Sequence, residues 1–288
     1  MGRYLDQLMK GVNRSMLNSF LPPRARDAPL LVRRAICKLK GYQTLWTTLL
    51  NQIRTQLEYY IPQIPSQSST IAVIVEPRKH PDLFPVLLSY MYQLNQQTPQ
   101  WSLQIFHGTE NGEWMKTMLH SWPNVIYTNL QVSNLTVSDY SRLLKTPRFW
   151  NGISGEHVLI FQTDSIMLRS GIDEFMSYDY IGAPWKVTKE HQYLIGNGGL
   201  SLRRRNVMIK ICDQYPDTTH RPEDVYFAEH LLHDGYKLPT KEIAMKFSVE
   251  TMYNERPLGV HKPLRIPLPK LRELFQFRID PAPNLGGS

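Results

Sequence analysis

The sequence predicts an α/β fold, with a mixed, mostly parallel sheet flanked by helices and a helical appendage ahead of it. Two patterns carry this reading. From residue 70 onward, short β-branched runs of buried-strand length alternate with helix-like stretches. Ahead of residue 66, apolar residues recur only at helical spacing. Size agrees with both: 288 residues and 33.6 kDa, 42% hydrophobic and 20% charged, can bury a substantial core. A disordered, collagen-like or disulfide-stapled chain is thereby excluded.

In the appendage, Tyr4, Leu5, Leu8, Met9, Val12, Met16, Leu17 and Phe20 mark a first helix, which Pro22 and Pro23 stop. Leu39, Tyr42, Leu45, Trp46, Leu49, Ile53, Leu57 and Tyr60 mark a second, closed by Pro62 and Pro65. The body opens with Ile71-Ala72-Val73-Ile74-Val75 as a buried strand, then a helix from Leu83 to Leu94. Ser102 to Phe106 reads as a second strand, Glu113 to His120 as a helix and Asn124 to Thr128 as a third strand. Val158 to Phe161 is a fourth, running straight into Gln162-Thr163-Asp164-Ser165. Such an alternation places ligands beyond the carboxyl edge of the sheet. There is no Walker A motif, no GxGxxG between strand and helix, and no internal repeat, so standard nucleotide-loop readings fail. The expected divisions are 1–66 for the basic appendage, 67–280 for the body and 281–288 for a flexible tail.

The net charge of +8 is concentrated at one end. Residues 1–40 hold nine Lys or Arg against Asp6 and Asp27, a net +7. The remaining 248 residues carry 24 basic and 23 acidic side chains, which disfavours a uniformly basic nucleic-acid cleft. Three accounts of the arm stay open: its helices pack on the body with solvated basic faces, residues 1–40 attach to an anionic membrane surface, or they bind nucleic acid or a protein partner. Cys37 and Cys212 are far apart and belong to no CxxC, so neither a thiolate zinc site nor a disulfide framework is suggested. No stretch approaches the roughly 18 consecutive apolar residues of a membrane span. Met1-Gly2 is followed by Asp6 where myristoylation needs Ser or Thr, and no secretory h-region follows. A cytoplasmic location, at most peripheral to a membrane, is expected.

Several clusters can carry chemistry. An apolar strand ending abruptly in a carboxylate, Asp164, suits a hard cation such as Mg²⁺ or Mn²⁺ that shares oxygen ligands with phosphates, with Gln162 and Ser165 assisting; a turn-former or helix cap is the alternative. Gly196-Asn197-Gly198-Gly199-Leu200-Ser201-Leu202-Arg203 lets backbone amides approach a ligand closely, or is a glycine-rich turn before a strand. Pro222-Glu223-Asp224-Val225-Tyr226-Phe227 starts a helix, where the paired acids complement the dipole or supply a general base. Gly259-Val260-His261-Lys262-Pro263 places an imidazole fit for a metal and an ammonium fit for phosphate on one loop.

In their joint order these segments, together with Gly182-Ala183-Pro184-Trp185, resemble the active-site landmarks of GT-A nucleotide-sugar glycosyltransferases. More narrowly, residues 70 to 265 look like an uncharacterised glycosyltransferase-like domain family of viruses, fungi and bacteria. Gly198-Gly199-Leu200-Ser201 followed by Glu223-Asp224-Val225-Tyr226 is similar to β-1,3-glycosyltransferases and Fringe. The resemblance implies a GT-A-like, Rossmann-like fold over 67–280 and transfer of a sugar, foremost from a UDP-sugar, to a glycan or protein acceptor with inversion. It makes Asp164 the metal-binding end of an Asp-x-Asp motif whose first acid is Gln162 here, with His261 as a further ligand of Mn²⁺ or Mg²⁺. Asp224 falls at the general base with Glu223 beside it, Gly198 and Gly199 at the donor sugar, Lys262 at the phosphates, and Trp185 on the acceptor side. Val75, Glu76 and Arg78, at the end of the first strand, lie near the nucleoside. Asp224 is expected to be readily ionised, because a helix N-terminus lowers a carboxyl pKa. The neutral Gln162 keeps a rival open, a catalytically inactive glycan- or nucleotide-binding protein; a membrane-associated scaffold working through residues 1–40 is another.

Overall fold

The computed structural model describes residues 29–96, 100–186, 196–217, 219 and 221–277. Residues 1–28, with the first expected helix and five of the nine basic residues of the arm, lie outside them, as does the expected tail 281–288.

The described chain begins with α1 (Pro29–Gln56), which starts ten residues ahead of the first expected apolar position, Leu39. Ala35, Ile36, Leu39, Tyr42, Trp46, Leu49, Leu50, Ile53 and Leu57 are buried at i, i+3, i+4 spacing, whereas Thr44, Thr47, Thr48 and Arg54 face solvent. This stripe belongs to the same core as one face of the main sheet. Tyr42 and Trp46 pack with Phe275, the Trp46 indole donates to Asp82 at 3.1 Å, and Gln52 donates to the Phe277 carbonyl at 2.9 Å. Leu49 is 1% exposed, so packing on the body accounts for the apolar spacing of this described part of the appendage. Burying a side chain such as Ile53 contributes about 1.5–3 kcal/mol before entropy is counted. The expectation of membrane attachment now bears on residues 1–28, outside the described residues.

The body follows as β1 (Thr70–Glu76), α2 (Leu83–Leu94), β2 (Ser102–His107), α3 (Gly112–Met118), β3 (Ile126–Asn129), α4 (Val137–Leu144), α5 (Pro147–Asn151), β4 (His157–Phe161), β5 (Ser165–Met167), β6 (Tyr180–Gly182), β7 (Leu200–Arg204), α6 (Arg205–Gln214), α7 (Glu223–His233), α8 (Lys241–Phe247), β8 (Ser248–Val249), β9 (Gly259–His261) and α9 (Leu268–Leu274). Among the described residues the main sheet has six strands in the order β3-β2-β1-β4-β7-β6. The first four run parallel; β7 is antiparallel to β4 and to β6. This is the expected mixed, mostly parallel sheet flanked by helices. Ala72 and Ile74 of β1 face the core shared with α1 and α2, while Ile71, Val73 and Val75 face Phe149, Trp150, Met208 and Phe227. Covering both faces explains why the strand reads as an unbroken apolar run. The third strand starts two residues later than expected, because Asn124 takes a positive φ of 53° and its side chain donates to the Ile64 carbonyl. Asparagine tolerates that left-handed turn conformation better than most residues.

The strand order reverses between β1 and β4, and the crevice beyond the carboxyl ends of such a pair is the usual ligand site of an open α/β sheet. Register sharpens the location. Ile74 pairs with Phe161 and Phe161 with Leu200, so Val75-Glu76, Gln162 and Gly199 emerge side by side at one edge. A second, three-stranded sheet, β5-β9-β8, stands at this edge.

Candidate active site

Beyond β4 the chain turns tightly through Gln162 to Ser165. The Ser165 N–H donates to the Gln162 carbonyl at 3.0 Å, and the Ser165 hydroxyl donates to the same oxygen at 2.7 Å while lying 2.7 Å from the buried Tyr90 hydroxyl. Ser165 is therefore occupied in holding the turn and does not assist a cation, contrary to expectation. Antiparallel pairing of β5 with β9 sets Ser165 opposite His261, and the Asp164 carbonyl accepts from the Lys262 N–H at 2.9 Å. As a result His261 Nε2 lies 3.2 Å from Asp164 Oδ1, although 97 residues separate them in sequence.

His261 is 7% exposed, and neither ring nitrogen makes a hydrogen bond of good geometry. Its Nδ1 faces Glu250 Oε1 at 4.0 Å, a carboxylate the sequence reading missed because it follows a two-residue strand with no motif around it. Burial works against charge on the imidazole, but Asp164 first and then Glu250 outweigh it and hold His261 above its ordinary value. Burial likewise works to raise Asp164, yet His261 and Lys262 bring it down to about 2. The result is an ionised carboxylate beside an orphaned buried imidazole nitrogen, a donor set suited to Mn²⁺ or Mg²⁺. Among the described residues no group of three His, Cys, Asp or Glu side chains is placed to hold a metal ion by itself. Asp164 and His261 are thus two side chains that could hold a cation together, short of a full protein ligand set.

These groups sit at one end of a cavity of about 360 Å³, lined by seven of the expected residues: Val75, Glu76 and Arg78 from β1 and its exit, Gln162 and Asp164 from the turn, and His261 and Lys262 from β9 and its exit. Glu76 is buried and held by Arg78 through two contacts of 2.8 Å, so its carboxylate orients the guanidinium and is not free for a ligand. Asn111, fully buried, ties this exit to β2 by donating to the Glu76 and Arg78 carbonyls at 2.8 Å each. The lining also includes Asn134 to Val137 and Tyr140, the first turns of α4 and their approach, which the sequence reading left unassigned. A capping box between Thr136 and Asp139 starts that helix.

Trp185, Gly198, Gly199, Glu223 and Asp224 are not in this lining; buried Gly199 joins them to it by lying against His261. A Cβ on Gly199 would lie 2.2 Å from His261 Nε2, and one on Gly198 would lie 1.9 Å from Glu223 Oε1. Only glycine lets the backbone pass between the imidazole and the acid pair. The ring of half-buried Trp185 packs on Gly196 in the same way.

Helix α7 begins after Pro222 with Glu223 and Asp224 in its first turn. Glu223 points inward. It grips Arg203, which is 0% exposed, at 2.7 and 3.1 Å, and the guanidinium is surrounded by the rings of Tyr180, Phe227 and Trp150 at 4.8 to 5.6 Å. Its expected catalytic place thus becomes a supporting one. Asp224 is part-exposed and accepts from the N–H groups of Val225 at 2.9 Å and Gly198 at 3.4 Å. Its carboxyl is pushed up to about 7, by burial first and the neighbouring charge of Glu223 second, with the two N–H contacts and Arg203 opposing. The helix-terminus argument gave the opposite direction; desolvation and a like charge outweigh it. Lys145, whose side chain is 1% exposed, fixes the loop leading into α7 through Asp217 at 2.9 Å and the carbonyls of Thr219 and Arg221 at 3.0 and 2.9 Å.

Residues 125–261 match a family described as a protein of unknown function, DUF5672. No curated protein matches the chain. Among solved structures it is similar to the apo form of the glycosyltransferase GlyE of Streptococcus pneumoniae TIGR4, with 13% identity over 69% of this chain and 55% of that one and a TM-score of 0.44. It is also similar to apo mouse xyloside xylosyltransferase 1, with 9% identity over 69% of this chain and 99% of that one and a TM-score of 0.44. The chain thus spans about half the length of GlyE. Among the described residues no helix is long and apolar enough to cross a membrane.

Proposed function

We propose that the protein transfers a sugar from a nucleoside diphosphate sugar, foremost a UDP-sugar, to a hydroxyl of a glycan or protein acceptor. The observation that carries this reading is the meeting, at the β1/β4 switch point, of a cavity with an Asp164–His261 pair and, across the Gly198-Gly199 stretch, a carboxyl poised near pH 7. The order of motifs along the chain supports it as well.

In this reading the nucleoside lies against Val75 and Arg78, and Gln162 and Lys262 contact the donor. Asp164 and His261 hold Mn²⁺ or Mg²⁺, which would neutralise charge on the departing diphosphate. Trp185 flanks the acceptor. The acceptor hydroxyl oxygen forms a bond to the anomeric carbon as the bond from that carbon to the diphosphate oxygen breaks, and the hydroxyl proton passes to Asp224. A base with a pKa near the working pH combines ionisation with proton affinity, so the raised value suits the task. Attack from the face opposite the leaving group inverts the anomeric centre. Glu223 sets the position of Asp224 through Arg203 and its own charge.

A panel of UDP-sugars, with and without Mn²⁺, tests this by thermal shift and by UDP release. A donor that stabilises the protein and yields UDP with an acceptor supports transfer. Donor binding without turnover on any acceptor or water would favour the inactive binding protein that the neutral Gln162 keeps in view.

A further inference from the structure

The two ring nitrogens of His261 face two different carboxylates. Nε2 looks toward Asp164 at 3.2 Å and Nδ1 toward Glu250 at 4.0 Å, and neither finds a hydrogen bond of good geometry elsewhere. Glu250 follows directly on β8, whose Val249 pairs with Val260 of β9, so the sheet itself delivers this carboxylate to the rear of the imidazole. Gly199 closes one face of the ring, since even a methyl group there would overlap it. Lys262 and Arg265 are the cationic groups whose charge reaches Glu250 alongside His261, and Asp164 is the other anion.

We infer that Glu250 is a positioning residue for the cation site: it takes the Nδ1 proton of His261 as a hydrogen bond and so turns the Nε2 lone pair toward Asp164 and the shared ion. The inference rests on the cation site of the proposed function and adds a residue to it. Three physical points support the assignment. A metal-bound imidazole generally gives its second N–H to a carboxylate or carbonyl, which fixes tautomer and ring angle and raises ligand basicity. A buried N–H left without an acceptor is costly, and among the contacts of His261 the Glu250 carboxylate is the acceptor on the Nδ1 side. The 4.0 Å separation is beyond a hydrogen bond, and a side-chain rotation of about 1 Å closes it. Glu250 is 19% exposed in its side chain, so it has room to make that movement.

The test is Mn²⁺ binding, read from the free-ion EPR signal in the presence of UDP, for the wild type, His261→Ala, Glu250→Ala and Glu250→Gln, with melting temperatures taken in EDTA. Glu250→Ala is expected to weaken Mn²⁺ about 10- to 100-fold, the usual range for removing a partner behind a ligand. Glu250→Gln, which keeps an oxygen acceptor for Nδ1–H, is expected to recover part of that loss. Melting in EDTA should change little in Glu250→Gln. If His261→Ala weakens Mn²⁺ and both Glu250 variants bind it as the wild type does, the positioning role is overturned and the cation site stands. If His261→Ala also leaves Mn²⁺ binding unchanged, the cation site falls and Glu250 with it. Should Glu250→Ala melt much lower in EDTA, Glu250→Gln decides alone: weakened Mn²⁺ binding at wild-type melting supports the role, and affinity that falls only in step with melting marks a purely structural residue.

Discussion

Replacing Glu223 by Gln keeps the shape of the side chain and deletes its charge beneath the site. Arg203 is 0% exposed and Glu223 makes both of its short ionic contacts, at 2.7 and 3.1 Å. The rings of Tyr180, Phe227 and Trp150 attract the guanidinium but cannot replace an anion. Removing one partner of a buried pair costs about 3–5 kcal/mol, because the other charge stays buried. With an unfolding entropy of about 2.1 cal/mol/K per residue over 288 residues, that corresponds to a fall in Tm of about 5–8 °C. Replacing both partners, Arg203→Met with Glu223→Leu, removes the uncompensated charge and should restore most of the loss. The second readout is catalytic. Burial, the first cause of the raised Asp224 carboxyl, remains in Glu223→Gln, whereas the like charge is gone, so the acid limb of the rate profile should move to lower pH. Thermal and urea melts at pH 7.5 check the stability, and transfer rates from pH 5 to 9 check the limb. A Glu223→Gln protein within about 1 kcal/mol of wild type, or a double variant less stable than either single one, would refute the assignment of Glu223 as the counter-ion that holds this floor in place.

Asp224→Asn should abolish transfer while retaining donor binding, and the wild-type kcat/KM should rise with pH to a plateau above an apparent pKa near 7. Because the folded protein keeps a proton on Asp224 that the unfolded chain loses between about pH 4 and 7, stability falls as pH rises through that window. The Asn variant should therefore be more stable than wild type at pH 8, on the order of 1–2 kcal/mol, and show no such gain at pH 4. Gly199→Ala sets a Cβ 2.2 Å from His261 Nε2 and should weaken Mn²⁺ binding about tenfold or more, measured by EPR, while nucleotide-free folding changes less. EDTA should stop transfer and added Mn²⁺ restore it. Ile53→Ala, at a site 0% exposed in the core shared by α1 and the sheet, should cost about 2–5 kcal/mol by urea melt; a value near zero would mean that α1 does not pack as described.

Much of the body is legible in the sequence because its strands are short, buried on both faces and separated by helices of ordinary length. Leu83 to Leu94 is a helix over those same residues, and the four expected strands lie side by side. The extent of α1 is not legible: its first turns carry Arg33, Arg34 and Lys38, and which face is apolar is decided by packing on α2 and α9. Motifs located the cavity residues because polar clusters at strand ends stand out from apolar runs. Pairings between distant carboxylates and cations do not stand out in that way. Glu223 and Asp224 are adjacent acids on one helix turn, and only the position of Arg203, twenty residues upstream, separates the buried one from the part-exposed one. Tyr140 lies within a short helix and Glu250 follows a strand of only two residues, too short to read as an apolar run, so nothing local distinguishes them.

The strand register explains why one short glycine stretch governs both halves of the site. Because Leu200 pairs with Phe161, residues 198 and 199 leave the sheet beside the turn that carries Asp164, on the side toward α7. Their backbone then touches His261 at one residue and meets Asp224 and Glu223 at the next. The distance between the Asp164–His261 pair and Asp224 is therefore set by two peptide units anchored in a strand, and not by long side chains that would each need their own packing. A bond between an anomeric carbon and an incoming oxygen demands that both reactants be held close and aligned, and misplacement by about 1 Å can cost on the order of a hundredfold in rate. Asp164, His261 and Asp224 come from three separate segments, and enlarging the two glycines reaches His261 at Gly199 and Glu223, the neighbour of Asp224, at Gly198. The order of sensitivity expected from substitution thus runs from Gly198 and Gly199 outward.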